Sequence, residues 1–470
     1  MTLPAIGLRC AGCGARPQPG DPYPFRCPRD GADDTDHVMS TVVEGAAGEF
    51  PAEDDPSPFV RYRRLAYSHS LARAHGLADA EYVDLVRGLD RAVAAVDGRG
   101  FTATPFGPHA RLGERGGVSG GGRLWIKDET GNVSGSHKGR HLMGLLIYLE
   151  VVDRLGLTGG TGPQLAIASC GNAALAAGVV ARAGDRPLQV YVPPAAPPPV
   201  VARLRALGAN IVVCPREPGV AGDPTYHRLQ AAVRAGAIPF TCQGPSNGLT
   251  IDGGKTIGYE IVSALARTGT VLDRVFIQVG GGALASACVQ AFEDAVRLGA
   301  LPRLPRLHPV QTVRVHPLAR AYERLTRRIR LDALRPASSG KPTDDETRAA
   351  VIAEHAGGPA VGDALAYAAT HRREFMWPWE TEPRSIASGI LDDETYDWLA
   401  VLRGMIRSGG YPVLASEELL REANETAVGA TGIAVDETGS AGLAGLLAVQ
   451  RRGGIGPSEQ IAVLFTGAKR

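Results

Sequence analysis

The chain has 470 residues, 44% hydrophobic and 21% charged, with Lys+Arg 50 against Asp+Glu 49 for a formal net charge of +1. That is the make-up of a folded protein with length for more than one core, and it excludes a disordered chain. The near-zero balance gives no overall field for nucleic acid or an anionic membrane, no apolar run reaches the ~18 residues needed to cross a bilayer, and seven sparse cysteines fit a reducing cytoplasm better than a disulfide framework.

Met1 to Arg9 lacks the basic-then-apolar pattern of a secretory signal. Residues 1–58 differ from the rest of the chain: Cys10-Ala-Gly-Cys13 is followed by Cys27-Pro-Arg-Asp30, then by an acidic, Pro-rich stretch from Glu53 to Pro58. This reads as a small module and a linker. Beyond residue 100, short apolar runs at 124–126, 165–167, 188–192, 210–213, 238–240, 274–279, 310–315 and 460–465 predict strands. Ala/Leu/Arg-rich segments at 139–154, 172–183, 199–207, 226–236, 255–268, 283–298 and 439–451 predict helices between them. The alternation predicts an α/β fold with parallel sheets. Residues 330–390 are polar and irregular, with Trp377 and Trp379 among them; they read either as an excursion over a site or as a surface insertion.

Four places carry candidate chemistry. In the first, turn formers through Ser134-Gly-Ser136-His137 lead into Lys138 at the start of a predicted helix. The helix dipole and burial both disfavour an ammonium there. Bringing a lysine from ~10.4 to about 7–8 costs roughly 4 kcal/mol, which is tolerated where the neutral amine is used, for instance to form an imine. The plain alternative is a solvated lysine behind a Ser136 helix cap. In the second, Ser169-Cys170-Gly171-Asn172-Ala173 follows a strand and opens a helix, whose free N–H groups suit a carboxylate; an ordinary helix cap explains the same residues. In the third, Gly280-Gly281-Gly282-Ala283 also lies between strand and helix and lets backbone N–H groups approach a phosphate. The run also satisfies a dinucleotide fingerprint, but the acidic partner expected ~20 positions on is replaced by Ala300, which weakens an oxidoreductase reading. The fourth is Thr466-Gly467 at the end of the last strand, on the rim where open α/β sheets bind ligands.

Taken in order, these motifs resemble the fold-type II pyridoxal-phosphate enzymes, the tryptophan synthase β-subunit superfamily, and within it threonine synthase and its relatives. Thr104-Pro105, Lys127-Asp-Glu129, Gly254-Lys-Thr-Ile-Gly-Tyr-Glu-Ile261 and Glu437-Thr-Gly-Ser-Ala-Gly442 extend the likeness over roughly 60–470. The resemblance implies two doubly wound open-sheet domains: a large one from 59–135 and 246–470, and a smaller mobile one over 136–245. It implies pyridoxal 5′-phosphate held by Lys138 as a Schiff base, by Asn172 at the 3′-hydroxyl, by Gly280, Gly281, Gly282 and Ala283 at the phosphate, and by Thr466 at the pyridine nitrogen. Ser169, Cys170, Gly171, Asn172 and Ala173 would hold the substrate carboxylate. His137 before Lys138 is similar to the tryptophan synthase β-subunit and implies a further phosphate contact.

The implied activity is elimination or replacement at the β or γ carbon of an amino acid. The alternatives are tryptophan- or cysteine-synthase-like β-replacement, threonine dehydratase-like β-elimination, and a catalytically silent scaffold. The implied partners are a small amino-acid substrate and a second copy of the chain, with no nucleic acid and no membrane. Threonine synthases have Phe before the lysine and Asp-Arg-Gly after it, so His137 and Gly139-Arg140-His141 put phosphohomoserine in doubt as the substrate; Arg140 and His141 stand as candidate contacts to an anionic leaving group. Cys10, Cys13 and Cys27 resemble the zinc ribbon that precedes some threonine synthase-like enzymes. Asp30 stands where the fourth cysteine is expected and is the assigned fourth ligand, with His37 the alternative.

Overall fold

The computed structural model describes residues 5–31, 33–44, 48–118, 123–158, 162–216, 223–329, 334, 344–381 and 384–469. At the N-terminus, β1 (Ala5–Cys10) and β2 (Met39–Glu44) pair antiparallel with Cys10 opposite Met39. Next come β3 (Phe106–Pro108) and β4 (Arg123–Asp128), paired antiparallel. The chain then builds a separate parallel sheet from β5 (Leu165–Ala168), β6 (Leu188–Val192), β7 (Asn210–Val213) and β8 (Ile238–Pro239), in the order β7-β6-β5-β8. It returns to the first sheet with β9 (Arg274–Gln278), β10 (Arg306–Thr312), β11 (Val413–Ala415) and β12 (Gln460–Phe465). The first sheet is therefore ordered β11-β10-β9-β12-β4-β3, parallel except at β3. Every residue of β9, and all of β12 but Gln460, is buried, as a parallel sheet covered on both faces requires.

The α/β architecture with two parallel sheets agrees with the expected fold class. Helix Asn172–Ala183 has the predicted bounds, and Lys138–Arg154 begins one residue earlier than predicted. Helices Lys138–Arg154 and Thr250–Thr268 meet through glycines: a Cβ on Gly144 would stand 2.6 Å from Gly253 Cα. Sequence patterning placed one strand at 310–315, whereas β10 spans Arg306–Thr312. The apolar periodicity there is broken by His308, which the fold buries between Phe276 and Tyr411.

The stretch 330–390 is more regular than its composition implied. Helices Asp345–Glu354 and Pro359–Thr370 lie in it, each burying a small Ala/Val/Ile face; 330–333, 335–343 and 382–383 lie outside the described residues. Trp377 is stacked under the Arg320 guanidinium, 3.6 Å from the ring centre, a cation–π contact at the protein surface.

Candidate active site

Three of the four motifs leave the carboxyl end of a parallel strand: Ser169 after β5, Gly280 after β9, Thr466 after β12. Lys138 is the first residue of its helix, and the approach to it is tightly bent, with Ser134 at φ 58° and Gly135 at φ 68°. Ser136 bridges to Gly467, and His137 N–H donates to the Thr466 carbonyl at 3.2 Å, so Lys138 is anchored to the end of β12. Ser136 does not cap the helix, as the alternative reading had it: its hydroxyl is buried without a partner, and His137 is the residue at the N-cap position.

A buried ion cluster fixes the turn after Lys138. Arg140 pairs with Glu129 at 2.8 Å and Glu260 at 2.6 Å, and Lys127 pairs with Glu260 and donates to the Thr104 carbonyl at 2.9 Å. Two cations face two carboxylates in a region closed to solvent. Burial opposes ionisation of Glu260, yet Arg140 and Lys127 hold its carboxyl below the usual range. Here the structure corrects an expectation: Arg140 is fully committed to this cluster, and His141 donates from Nδ1 to the Thr250 carbonyl at 2.9 Å. Burial, reinforced by Lys138, lowers His141 to about 3. Neither residue is placed to receive an anionic leaving group.

The asparagine loop joins the same place. Asn172 begins helix Asn172–Ala183, whose N-terminus has no side-chain cap, and its Nδ2 lies 3.0 Å from where a Cβ on Gly467 would stand. Ser169 Oγ accepts from Gly171 N–H at 3.4 Å, and Cys170 is half-buried with its thiol raised by burial, which suits a lining residue rather than a nucleophile. Thr466 is buried, and its Oγ1 accepts from Gln278 Nε2 at 2.5 Å. Because the same amide also reaches the Gly439 and Leu464 carbonyls, the amide orientation is fixed and the Thr466 O–H is left to donate elsewhere. Gln278, the last residue of β9, is thus beside Thr466; nothing in the sequence marked it, because its partners come from residues 439 and 464–466.

The glycine bend needs its glycines. Gly282 has φ 94°, and added Cβ atoms on Gly280, Gly281 and Gly282 would stand 2.2 Å from Asp392 Oδ2, 2.9 Å from Tyr396 Cδ2 and 2.9 Å from Thr395 Cγ2. The covering segment is pinned by Asp397 N–H, which donates to the Gly281 carbonyl at 2.9 Å. Sequence reasoning assigned no role to Asp392 or Asp397. Burial raises Asp392, opposed by Lys138 and the Gly281 N–H. Burial, with Asp36 nearby, pushes Asp397 up to about 7 against the pull of Gly244 N–H and Lys138.

Several buried polar atoms have no partner: His137 Nε2, His141 Nε2, Thr250 Oγ1, Gln278 Oε1 and Asp397 Oδ1. Buried polar groups are ordinarily satisfied, so such a concentration marks a place shaped for a polar ligand. Uncapped helix N-termini at 138, 172 and 283 converge on it with Lys138, a setting for an anionic, aldehyde-bearing cofactor. His137 fits a phosphate contact only as a cation: Nδ1 donates to the Thr466 carbonyl, leaving Nε2 an acceptor, and burial plus Lys138 holds the ring well below its usual pKa. Residues 99–339, just over half of the chain, match the family of pyridoxal-phosphate-dependent enzymes.

The chain belongs to this pyridoxal-phosphate-dependent enzyme family.

Within that setting, threonine synthase from Methanosarcina acetivorans is 23% identical over 367 residues, 77% of this chain and 74% of the relative. Among solved structures, the processed form of threonine deaminase isoform 2 from Solanum lycopersicum superposes with a TM-score of 0.55 at 16% identity, covering 84% of this chain and 91% of that one. Diaminopropionate ammonia lyase from Escherichia coli gives 0.56 at 15% identity, covering 83% and 88%. These likenesses establish a shared fold, fold type II among the pyridoxal-phosphate enzymes. No helix among the described residues is long and apolar enough to cross a membrane.

The N-terminal module of this family member gathers Cys10, Cys13, Cys27 and His37, whose ligand atoms lie within 4.8 Å of one another. Three sulfurs and one imidazole at such separations fit tetrahedral zinc, with metal–sulfur bonds of about 2.3 Å. Asp30, the expected fourth ligand, instead pairs with Arg26, because the loop after Cys27 turns its carboxylate outward. His37 presents Nδ1 to Cys10 Sγ at 3.5 Å, and its Nε2 meets Asp33 at 3.0 Å, an outer partner that orients a ligating imidazole. Burial raises Cys10 and takes Cys27 up to about 12, so thiolates there call for a cation.

Proposed function

We propose that the protein catalyses elimination or replacement at the β or γ carbon of an amino acid with pyridoxal 5′-phosphate as cofactor. The bound cofactor supplies an electron sink for the charge left when the α proton departs. Lys138 would hold it covalently, and its amine, when free, would take and return the α proton. Asn172 would bond the 3′-hydroxyl, Gly280 to Ala283 would offer N–H groups to the phosphate, and Ser169 to Ala173 would hold the substrate carboxylate at an uncapped helix N-terminus. The observation that carries the reaction class is the Gln278–Thr466 hydrogen bond. It leaves the Thr466 hydroxyl free to donate, and a donor facing the pyridine nitrogen would leave that nitrogen unprotonated, a milder sink that would suit elimination and replacement over transamination. Commitment of Arg140 and His141 elsewhere weighs against phosphohomoserine, and so against threonine synthase's own γ-replacement. Closure of the 136–245 domain over the cleft would exclude water, and Cys10, Cys13, Cys27 and His37 would hold a structural zinc.

Protein purified with pyridoxal phosphate should be yellow and should bleach with borohydride; Lys138→Ala should lose the colour and at least a thousandfold in turnover. Release of ammonia and a keto acid from serine or threonine would support elimination, whereas threonine and phosphate from phosphohomoserine would restore the threonine synthase assignment. A colourless protein indifferent to the cofactor would instead support a silent scaffold.

A further inference from the structure

The glycine bend has a further wall, and it is an acid. Segment 389–397 crosses the bend, and a Cβ added to Gly280 would strike Asp392 Oδ2, while one on Gly281 would lie 3.7 Å from Oδ1. The Gly281 N–H, one of the donors offered to a phosphate, already bonds the Asp392 carboxyl. That carboxyl has no ion pair among the described residues, and burial raises it toward the neutral form. Lys138 is the cation that faces it, and Asp393 and Tyr396 flank it on its own segment. Across the cleft, Asp223 and Arg216 face Asp393, and Tyr226 faces Tyr396.

The backbone around Asp392 is tied on both sides. Gly389 N–H donates to Thr438 Oγ1 at 2.9 Å, and the Asp393 carbonyl accepts from Trp379 N–H at 3.0 Å. Thr395 Oγ1 accepts from Gln311 Nε2 at 3.4 Å, and Asp397 N–H donates to the Gly281 carbonyl at 2.9 Å. With its main chain fixed, Asp392 stays beside whatever anion the bend takes. Ionised, it repels that anion and competes for the Gly281 N–H; protonated, it adds a donor. The charge of a phosphate favours the protonated form.

We infer that Asp392 belongs to the phosphate site and meets the cofactor's phosphate as a carboxylic acid, donating its O–H to a phosphate oxygen, so that cofactor and proton bind together. This rests on the cofactor reading above, and deepens it by adding a residue to the phosphate site and a proton to the binding equilibrium. Because the loaded chain then carries the extra proton, affinity falls as pH rises past the point where the cofactor-free carboxyl ionises, by up to about tenfold per pH unit.

The test titrates the cofactor-free full chain with pyridoxal 5′-phosphate and with pyridoxal, which lacks the phosphate. Affinity is read by absorbance, and proton uptake by calorimetry in two buffers of different ionisation enthalpy at about pH 8, where the free phosphate ester is a dianion. Wild type should take up about half a proton or more in excess with the phosphorylated ligand. Asp392→Asn, whose amide donates at any pH, should lose that excess and bind pyridoxal phosphate at least tenfold tighter than wild type at about pH 8, but within threefold of it at about pH 6. Pyridoxal affinity should differ less than threefold between the two proteins. Equal proton uptake with the two ligands in wild type would overturn the inference, as would weaker cofactor binding by Asp392→Asn at about pH 8 or an equal gain for pyridoxal. If Asp392→Asn does not fold, the wild-type difference in uptake decides alone. A wild-type protein that never acquires the chromophore defeats the cofactor reading and the inference together; a coloured protein with no excess uptake defeats the inference alone.

Discussion

At the residue scale, Asp397 offers a pH signature independent of turnover. Its unfolded pKa is ~3.9, and in the fold burial raises it to about 7. The folded chain therefore holds a proton that the unfolded chain has released between those values, so stability falls as pH rises through this window. The penalty is absent below the unfolded pKa and complete above the folded one, amounting to about 4 kcal/mol at most. Urea midpoints of cofactor-free protein at pH 4.5 and 7 should differ less in Asp397→Asn, which cannot ionise, than in wild type. Parallel shifts in the two proteins would show that the carboxyl is not held neutral. Lys138 and Asn172 were legible because each sits in a short, unusual local sequence. Gln278, Asp392 and Asp397 were not, because what gives them meaning is a partner 100 or more residues away in the chain.

At the element scale, the first turn of helix Lys138–Arg154 owes its position to the ion cluster linking it to β4 and helix Thr250–Thr268. Replacing Arg140 with Met leaves Glu129 and Glu260 sharing Lys127 alone, and an unpaired buried charge of this kind costs about 3–5 kcal/mol. Thermal unfolding should move down by several degrees, and cofactor affinity should drop with it because Lys138 lies two residues away; an unchanged melting point would show the cluster to be dispensable. The N-terminal module acts on the site through another element. Phe25 accepts from Gly248 N–H at 2.9 Å, Asp36 accepts from Trp398 Nε1 at 2.9 Å, and Val38 packs on Gly244, which touches Asp397. Metal analysis should return about one zinc per chain, and chelation should lower both the melting temperature and the retained cofactor. Cofactor retention that is indifferent to chelation would confine the module to a peripheral role.

At the scale of the whole molecule, the site belongs to neither sheet alone. Asn172 opens the helix after β5 of the inserted parallel sheet, while the glycine bend and Thr466 hang from β9 and β12 of the large one and the turn before Lys138 is bonded to the end of β12. A ligand touching all four ties the two sheets together and stabilises by mass action, about 2.7 kcal/mol at a hundredfold excess over its dissociation constant. Pyridoxal phosphate should therefore raise the unfolding temperature of the cofactor-free protein in a concentration-dependent way. Inorganic phosphate should give a smaller rise, and Lys138→Ala should lose most of the difference. Equal shifts with phosphate alone would mean that only the glycine bend is engaged.

Local sequence determined the α/β alternation, most strand positions and the four ordered motifs, because apolar periodicity and glycine or proline punctuation act over a few residues. It could not distinguish Asp30 from His37 as the fourth partner of Cys10, Cys13 and Cys27, since both lie within reach along the chain; the turn after Cys27 decided it. Nor could it tell that Arg140 is sealed inside an ion cluster while two aspartates near residue 395 close over the glycines. Charge compensation is a property of three-dimensional neighbours, and only the packed tertiary structure decides which charges are cancelled and which are left to meet a ligand.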